Sequence, residues 1–271
     1  MSAVFSGKTA VVTGAASGIG YALSVMLVRQ GARVYALDIS LDGLQRLNEA
    51  CAGKLSIARV DVTHAAELEA CLDQVVAQHG RLDYLFNNAG TLLGGNFEDM
   101  SPATWKRIVD INLWGVIYGA QKGYQLMLHQ RSGHIINTAS TAGLMPVAQS
   151  TAYAMTKHAV VGLSTSLREE AIEHGIRVSV VIPGVIDTGI FKAATNLSGY
   201  NYDAEISKQP YGRMNPLQAA EAILDGVARN QAYIIFPRYN RVICWLYRFS
   251  PELGAWLLRK GRERNKTPAT H

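Results

Sequence analysis

Short apolar runs alternate along the chain with longer segments whose apolar residues recur every three or four positions. The short runs predict seven β-strands, at 9–13, 33–38, 55–61, 84–88, 133–138, 177–182 and 232–236. The longer segments predict helices near 18–30, 42–52, 65–79, 102–129, 151–174 and 216–229. Strands that are apolar throughout and separated by helices are typical of a parallel sheet with helices on both faces. The pattern therefore predicts a doubly wound α/β fold of about seven strands.

Composition excludes several classes of protein. Of the 271 residues, 48% are apolar and 17% are charged, which argues against a disordered chain. The three cysteines, Cys51, Cys71 and Cys244, form no CxxC pair, so we predict neither a disulfide framework nor a metal site. We find neither a signal-peptide pattern nor an apolar run of eighteen residues, and we therefore expect a cytoplasmic protein.

The net charge of +5 is concentrated at the C-terminal end. Residues 238–271 contain eight Lys and Arg residues and two Glu residues, which gives this segment a charge of +6. A domain that binds nucleic acid is expected to carry a basic face within its fold. The charge distribution therefore argues against nucleic acid as a partner.

A glycine-rich stretch, TGAASGIG at 13–20, joins the first predicted strand to the first predicted helix. Such a turn lets a pyrophosphate approach the backbone and bind the N–H groups at the helix N-terminus. Asp38 follows about twenty residues later, at the end of the second strand, where a carboxylate can bind ribose hydroxyls. Together these features predict a Rossmann-like dinucleotide site.

Asp38 also indicates which dinucleotide is preferred. Its carboxylate would repel the 2′-phosphate of NADP, and NADP sites place a basic residue nearby. The neighbouring positions, Ser17 and Ile39, are not basic. We therefore expect NAD(H) to be favoured over NADP(H).

Three polar residues in the second half of the chain suit proton transfer. Tyr153 and Lys157 are four residues apart and share one face of a predicted helix. A neighbouring ammonium is expected to lower the pKa of the phenol, which suits a group that exchanges protons with a substrate oxygen. Ser140 follows the strand at 133–138, at a carboxyl end where doubly wound folds bind ligands, and its hydroxyl can bond the same oxygen.

The order of motifs resembles the short-chain dehydrogenase/reductase family across about residues 5–235. The matching motifs are GxxxGxG at 14–20, DV at 61–62, NNAG at 87–90, Asn112, Ser140, YAMTK at 153–157 and PGVIDT at 183–188. The resemblance implies that Tyr153 is the general acid/base and that Lys157 lowers its pKa and bonds the nicotinamide ribose. It implies that Ser140 orients the substrate carbonyl, and that Asn112 supports a water linking Lys157 to solvent.

The resemblance also implies which residues bind the cofactor. They are Gly14, Ser17, Gly18, Ile19, Gly20, Asp38, Asp61, Val62, Asn88, Ala89, Gly90, Tyr153, Lys157, Pro183, Gly184, Ile186 and Thr188. Asp61 and Val62 are expected near the adenine, although Asp61 can also cap the turn that follows it. Ile186 and Thr188 are expected to contact the nicotinamide carboxamide.

Residues 189–215 lack strand periodicity, and a loop of this length in a compact domain is usually functional. We expect a lid over the substrate that contains at least one short helix. Ten apolar or aromatic residues are candidates for the substrate wall: Leu92, Leu93, Leu144, Met145, Val147, Phe191, Tyr200, Tyr202, Tyr211 and Met214. Each of them can equally fill the core or an interface.

The C-terminal end departs from the common ending of the family. We expect a dehydrogenase domain at 1–237, lid included, and a basic, aromatic helical extension at 238–271. Val242, Trp245, Leu246 and Phe249 follow helical spacing. Ser250 with Pro251 is expected to start a second helix. Aromatic residues beside basic ones fit a peripheral membrane helix, and fit equally a helix packed on the core, the lid or a second subunit.

These features predict an NAD(H)-dependent oxidoreductase that interconverts a secondary alcohol and a ketone. An apolar substrate is expected, either steroid-like, lipid-derived or a cyclic alcohol, and the family resemblance implies a homodimer or homotetramer. A 3-oxoacyl reductase is the alternative, but such enzymes usually favour NADPH. An NAD(H)-binding sensor or scaffold is the alternative outside enzymes, and the retention of Ser140, Tyr153 and Lys157 argues against it.

Overall fold

The computed structural model describes residues 3–197, 199–207 and 212–264. Seven parallel strands form one sheet: β1 Thr9–Thr13, β2 Arg33–Asp38, β3 Leu55–Arg59, β4 Tyr84–Asn87, β6 Gly133–Thr138, β7 Ile176–Pro183 and β9 Tyr233–Phe236. Their order across the sheet is β3-β2-β1-β4-β6-β7-β9. The ten helices of the described residues are α1 Gly18–Arg29, α2 Leu41–Ala50, α3 Ala65–His79, α4 Pro102–Val109, α5 Gly115–Gln130, α6 Thr151–Ala171, α7 Tyr202–Ser207, α8 Pro216–Ala228, α9 Arg238–Phe249 and α10 Pro251–Arg264. This arrangement confirms the predicted doubly wound α/β fold.

The sheet order reverses at β1, which has β2 on one side and β4 on the other. In open α/β sheets, ligands bind outside the carboxyl ends of the strands at such a reversal. Both faces of the sheet are sealed by helices. On one face, α1, α2 and α8 bury an apolar cluster that includes Leu23 and Ile223, and on the other face α3, α5 and α6 bury a cluster that includes Leu72. The carboxyl ends of the strands therefore remain available for a ligand.

Most predicted elements differ from the structure by one to three residues at one or both ends, and one predicted helix is interrupted. The strands predicted at 55–61 and 84–88 end earlier, at Arg59 and Asn87. The helix predicted at 102–129 is two helices, α4 and α5, because a π-helical turn interrupts it at Asp110–Trp114. This turn was not predicted because no Gly or Pro marks an interruption within it.

Two short strands, β5 Leu93–Gly94 and β8 Thr195–Asn196, pair outside the main sheet and were also not predicted. Two residues are too few to show the alternation of a strand. Their pairing ties the segment at 189–215 to the loop that follows β4. That segment contains α7, as predicted.

The C-terminal end forms α9 and α10, with α10 beginning at Pro251 as predicted. The two helices approach closely where Gly254 meets Tyr247, since a Cβ on Gly254 would lie 2.7 Å from Tyr247 Cδ2. We call this pair the α9–α10 hairpin. Among the described residues, no helix is long and apolar enough to cross a membrane.

One core residue gives a prediction about stability. His134 on β6 is 2% exposed, and its Nε2 lies 2.8 Å from Ser179 Oγ. Burial, together with the charges of Arg177 and Arg168, lowers the pKa of His134 to about 3. The unfolded chain restores an ordinary histidine pKa of about 6.5. The neutral, buried His134 therefore stabilises the fold fully above pH 6.5, and this contribution is lost as the pH falls towards 3.

We expect the wild-type free energy of unfolding to fall by about 3 kcal/mol more than that of His134→Gln between pH 6.5 and pH 4, at ~1.4 kcal/mol per pH unit. Urea unfolding at several pH values measures this difference. The exposed His129 provides a matched control, and His129→Gln should keep the wild-type slope. Parallel curves for wild type and His134→Gln would contradict the prediction.

Candidate active site

A cleft of about 2160 Å³ lies at the carboxyl ends of the strands. The predicted site residues that line it are Gly14, Ser17, Gly18, Ile19, Asp38, Asp61, Val62, Asn88, Ala89, Gly90, Ser140, Tyr153, Lys157, Pro183, Gly184, Ile186 and Thr188. Two predicted residues, Gly20 and Asn112, do not line the cleft and lie behind its wall. The structure thus brings the glycine turn, Asp38 and the Ser140, Tyr153 and Lys157 group to one cavity.

The glycine turn is shaped by contacts that a side chain would block. Gly14 has a φ of +65°, and a Cβ on it would lie 2.7 Å from Ala89 Cα. A Cβ on Gly20 would lie 2.1 Å from the carbonyl oxygen of Gly14, so Gly20 lets α1 pack against the turn. Gly18, with a φ of +54°, faces Thr188, whose Cγ2 would be 3.0 Å from an added Cβ. The N–H groups of the first turn of α1 have no partner within the helix and border the cleft.

Thr13, which the sequence analysis did not single out, fixes the end of β4 against β1. Its hydroxyl oxygen accepts hydrogen bonds from the N–H groups of Asn88 and Ala89, each at 3.0 Å. In return, Asn88 Nδ2 donates to the carbonyl oxygen of Thr13 at 3.1 Å. These bonds hold the wall at 88–90 in place.

Asp38 is held at the cleft by two backbone donors. The N–H of Ala16 donates to Oδ2 and the N–H of Ser40 donates to Oδ1, both at 2.9 Å. Ile39 lies beside it with 56% of its surface exposed. The glycine turn and this fixed carboxylate match the pyrophosphate and ribose positions of a dinucleotide.

Asp61 organises the turn that follows β3. The N–H and hydroxyl of Thr63 both donate to Asp61 Oδ1, at 2.9 and 2.8 Å. Burial raises the pKa of this carboxyl group, but the two hydrogen bonds together with the charges of His64 and Arg59 lower it overall. The turn-capping interpretation is therefore correct, while the N-cap of α3 itself is His64. Val62, next in the chain, also borders the cleft.

Helix α6 carries Tyr153 and Lys157, and the turn after β6 brings Ser140 to them. A Cβ on Gly143 would lie 2.5 Å from the carbonyl oxygen of Lys157, so only glycine lets this turn pack directly on α6. A hydrogen bond joins Ser140 to Tyr153. Lys157 Nζ lies 5.7 Å from the centroid of the Tyr153 ring and donates to the carbonyl oxygen of Thr138 at 2.9 Å.

Burial decides the protonation of this group. It raises the pKa of Tyr153 well above the ordinary value, the Ser140 hydrogen bond opposes this, and Tyr202 raises it further. Burial also lowers the pKa of Lys157 to about 8. The net pKa of Tyr153 is therefore raised, because desolvation of the phenolate dominates, and the lowering effect expected of Lys157 stays a prediction. At neutral pH, Tyr153 is a neutral phenol beside an ammonium.

Asn112 lies in the π-helical turn and is fully buried. Its Oδ1 accepts from the N–H of Thr91 at 2.8 Å, and its Nδ2 donates to the carbonyl oxygen of Thr91 at 2.9 Å. A Cβ on Gly90 would lie 3.3 Å from Asn112 Oδ1 and 3.5 Å from Lys157 Nζ. Asn112 therefore fixes the loop beside Lys157, and its role in a proton relay stays a prediction. Interruptions of this kind are frequent at functional sites.

The substrate side of the cleft contains six of the ten predicted wall residues: Leu92, Met145, Val147, Phe191, Tyr200 and Tyr202. Leu93, Leu144 and Met214 instead pack in the core clusters, and Tyr211 lies outside the described residues. Ser150 donates a hydrogen bond to the Tyr202 hydroxyl at 3.0 Å, which anchors α7 to the start of α6.

The α9–α10 hairpin supplies a wall that the sequence analysis did not assign to the cleft. Its lining residues are Tyr239, Asn240, Ile243, Leu246, Tyr247, Gly254, Ala255 and Arg259. The close approach of α9 to β7 requires glycine, since a Cβ on Gly184 would lie 2.1 Å from Asn240 Nδ2. Positions 239, 243, 246 and 247 share one helical face, and this spacing was the available signal.

Comparisons with known proteins agree with this geometry. A family model described as short chain dehydrogenase matches residues 8–197. A protein of Mycobacterium tuberculosis named as the putative oxidoreductase SadH is 35% identical over 238 residues, which cover 85% of this chain and 86% of that protein.

Two solved structures are similar over most of their length. A short chain dehydrogenase/reductase from Burkholderia phymatum in complex with NAD has a TM-score of 0.84 and 28% identity, covering 92% of this chain and 95% of that one. A 3-ketoacyl-(acyl-carrier-protein) reductase from Brucella melitensis complexed with NADH has a TM-score of 0.76 and 25% identity, covering 85% and 96%.

Proposed function

The chain belongs to the short-chain dehydrogenase/reductase family, and from this premise we propose that it is an NAD(H)-dependent oxidoreductase that interconverts a secondary alcohol and a ketone. One observation carries the proposal. Ser140, Tyr153 and Lys157 lie together in the cleft that the glycine turn also borders. A proton-transfer group beside a dinucleotide cradle is the arrangement that alcohol oxidation and carbonyl reduction require.

Each polar residue has a separate task in this mechanism. A bound nicotinamide supplies the hydride acceptor or donor. During reduction, the neutral Tyr153 phenol donates its Oη proton to the carbonyl oxygen, and during oxidation the Tyr153 phenolate takes the hydroxyl proton. Ser140 Oγ donates a hydrogen bond to that oxygen as negative charge develops on it. Lys157, as an ammonium, stabilises the phenolate that forms on Tyr153.

The cofactor preference rests on Asp38. Its carboxylate can accept hydrogen bonds from the ribose hydroxyls and repels a 2′-phosphate. Ser17 and Ile39 provide no positive charge that would offset this repulsion. The Burkholderia phymatum structure contains NAD, which supports this part of the proposal. NAD(H) is the expected cofactor.

The apolar walls support an apolar substrate. Aromatic and aliphatic side chains from α7, α9 and the loops after β4 and β6 line the cleft beyond Tyr153. Residues 189–215 act as the lid in this proposal, held by the salt bridge of 2.8 Å between Arg213 Nη2 and Asp203 Oδ1. The substrate in this proposal is a steroid-like, lipid-derived or cyclic alcohol. From the family, we also propose that the protein forms a homodimer or homotetramer.

A 3-oxoacyl reductase is the second candidate. The similarity to the Brucella melitensis reductase favours it, and that structure contains NADH, so the cofactor alone does not separate the two activities. The apolar wall built by α9 accommodates an acyl chain as well as an apolar alcohol, so measured activity must separate the two candidates.

A substrate panel tests the proposal. Purified protein is incubated with NAD⁺, and separately with NADP⁺, across secondary alcohols from small to steroid-sized, and reduced nicotinamide is followed by absorbance. NADH formation that increases with the apolar size of the alcohol is the expected result. In a second set of assays, NADH or NADPH is supplied with ketones and 3-oxoacyl thioesters, and turnover of the thioesters without turnover of any alcohol or ketone would favour the second candidate. Tight NAD⁺ binding without turnover of either class would favour a sensor.

A further inference from the structure

The α9–α10 hairpin has two different faces. The inner face of α9 lines the cleft through Tyr239, Ile243 and Leu246. The outer face consists of exposed positions that recur every three or four residues: Arg238, Arg241, Val242, Trp245, Arg248 and Phe249. The hairpin therefore connects the candidate active site to an external surface.

The outer face exposes an unusual amount of apolar surface. Phe249 is 78% exposed and Trp245 is 62% exposed, and their rings stack with centroids 5.5 Å apart. On α10, Leu253 is 48% exposed and Trp256 is 44% exposed. Exposed apolar residues are usually scattered, and a contiguous strip marks an interaction site.

Charge identifies the kind of surface that fits this strip. Residues 238–264 contain seven Lys and Arg residues and two Glu residues, and α9 contains no acidic residue. A twofold contact with a second copy would place this basic face against itself, which like charges oppose. An anionic lipid surface accepts both the aromatic side chains and the arginines. Lys260 Nζ lies 4.1 Å from the Trp256 ring centroid, which places an ammonium beside an aromatic ring.

We propose that the outer face of the α9–α10 hairpin docks the protein on an anionic lipid surface. Because the inner face of the same helices walls the cleft, docking brings the cleft close to apolar alcohols dissolved in that surface. This second part rests on the proposed function. The hairpin lies on the surface and does not cross the bilayer, in agreement with the absence of a spanning helix among the described residues.

Co-sedimentation with vesicles tests the docking. The probes are phosphatidylcholine vesicles with or without an equal amount of phosphatidylglycerol, and wild type is expected to bind the anionic vesicles and to be released by salt. Trp245→Ser/Phe249→Ser should lower this binding by about tenfold or more. Arg238→Gln and Arg248→Gln should each lower it by about fivefold.

A matched variant controls for the loss of exposed apolar side chains. Phe97 and Ile172 are 63% and 60% exposed, lie outside the hairpin and have acidic neighbours. Phe97→Ser/Ile172→Ser should bind anionic vesicles as wild type does. Wild-type binding by Trp245→Ser/Phe249→Ser, or equal binding of wild type to both vesicle types, would overturn the proposal.

Sedimentation velocity without lipid separates docking from subunit assembly. Trp245→Ser/Phe249→Ser should keep the wild-type mass, since the proposal assigns this face to lipid. A smaller particle would make the strip a subunit interface and overturn the proposal.

A kinetic comparison tests the delivery of substrate. Trp245→Ser/Phe249→Ser should lose turnover of a long-chain secondary alcohol dissolved in anionic vesicles and keep turnover of a short, water-soluble one. Equal retention of both would overturn the delivery step. If wild type oxidises neither alcohol, the proposed function fails, while the vesicle measurements still decide the docking.

Discussion

Replacing Tyr153 by Phe is expected to lower kcat by about 10³-fold, because general acid/base catalysis contributes roughly 10²–10⁴-fold. The substitution removes the phenol oxygen that is hydrogen-bonded to Ser140, and it leaves the ring that lines the cleft. KM and cofactor affinity should change little, since the lost interaction acts on the transferring proton. Steady-state kinetics in both reaction directions measures the effect.

The pH dependence gives this experiment a second readout. Oxidation requires the Tyr153 phenolate, and burial raises the pKa of this phenol, so the wild-type kcat/KM for oxidation should rise with pH across the neutral and alkaline range. Tyr153→Phe should abolish this rise. Tyr118→Phe is the matched control, because Tyr118 stacks on Trp114 outside the cleft and should leave kcat unchanged. Retention of more than about a tenth of wild-type kcat by Tyr153→Phe would be incompatible with general acid/base catalysis by this residue.

Replacing Asp38 by Ser together with Ile39 by Arg is expected to reverse the cofactor preference. The NADH to NADPH affinity ratio should fall by about 100-fold or more. A hydrogen bond to a charged group contributes about 1.5–3 kcal/mol, and about 1.4 kcal/mol corresponds to a tenfold change in affinity. The added arginine supplies the positive charge that a 2′-phosphate requires. Fluorescence titration with NADH and NADPH measures both affinities without knowledge of the substrate.

A charge-matched control is available on the neighbouring helix. Asp42 is exposed in the first turn of α2 and does not border the cleft, so Asp42→Asn should leave the ratio unchanged. Asp38 also accepts bonds from Ala16 and Ser40, so the thermal midpoint of each variant should be recorded alongside. A wild-type protein that binds NADPH more tightly than NADH would refute the preference assigned to Asp38.

Much of the fold could be predicted because it depends on local patterns. The strands at 9–13, 33–38 and 133–138 were placed correctly, since each is an apolar run next to a glycine or a polar turn. The π-helical turn at Asp110–Trp114 could not be predicted, because its apolar periodicity continues into both flanking helices. Its position depends on the hydrogen bonds between Asn112 and Thr91, two residues that are distant in the sequence.

The candidate site divides in the same way. The glycine turn and the pair formed by Tyr153 and Lys157 could be predicted, because each is defined by a short spacing in the sequence. The protonation of Tyr153 cannot be predicted in this way, because it depends on how completely the folded chain removes water from the phenol. The sequence showed that α9 is amphipathic, but not that its inner face closes the cleft, since that requires the position of Gly184 relative to Asn240.

This contact between Gly184 and Asn240 has a consequence for biosynthesis. The glycine turn and Asp38 precede β9 and α9 along the chain and leave the ribosome before them. Chains fold from the N-terminal side as they are made, so the first strands can associate before α9 has been synthesised. A nascent chain that stops before α9 therefore carries the glycine turn, Tyr153 and Lys157 but leaves the cleft open at Gly184, and this wall is completed only once α9 has left the ribosome.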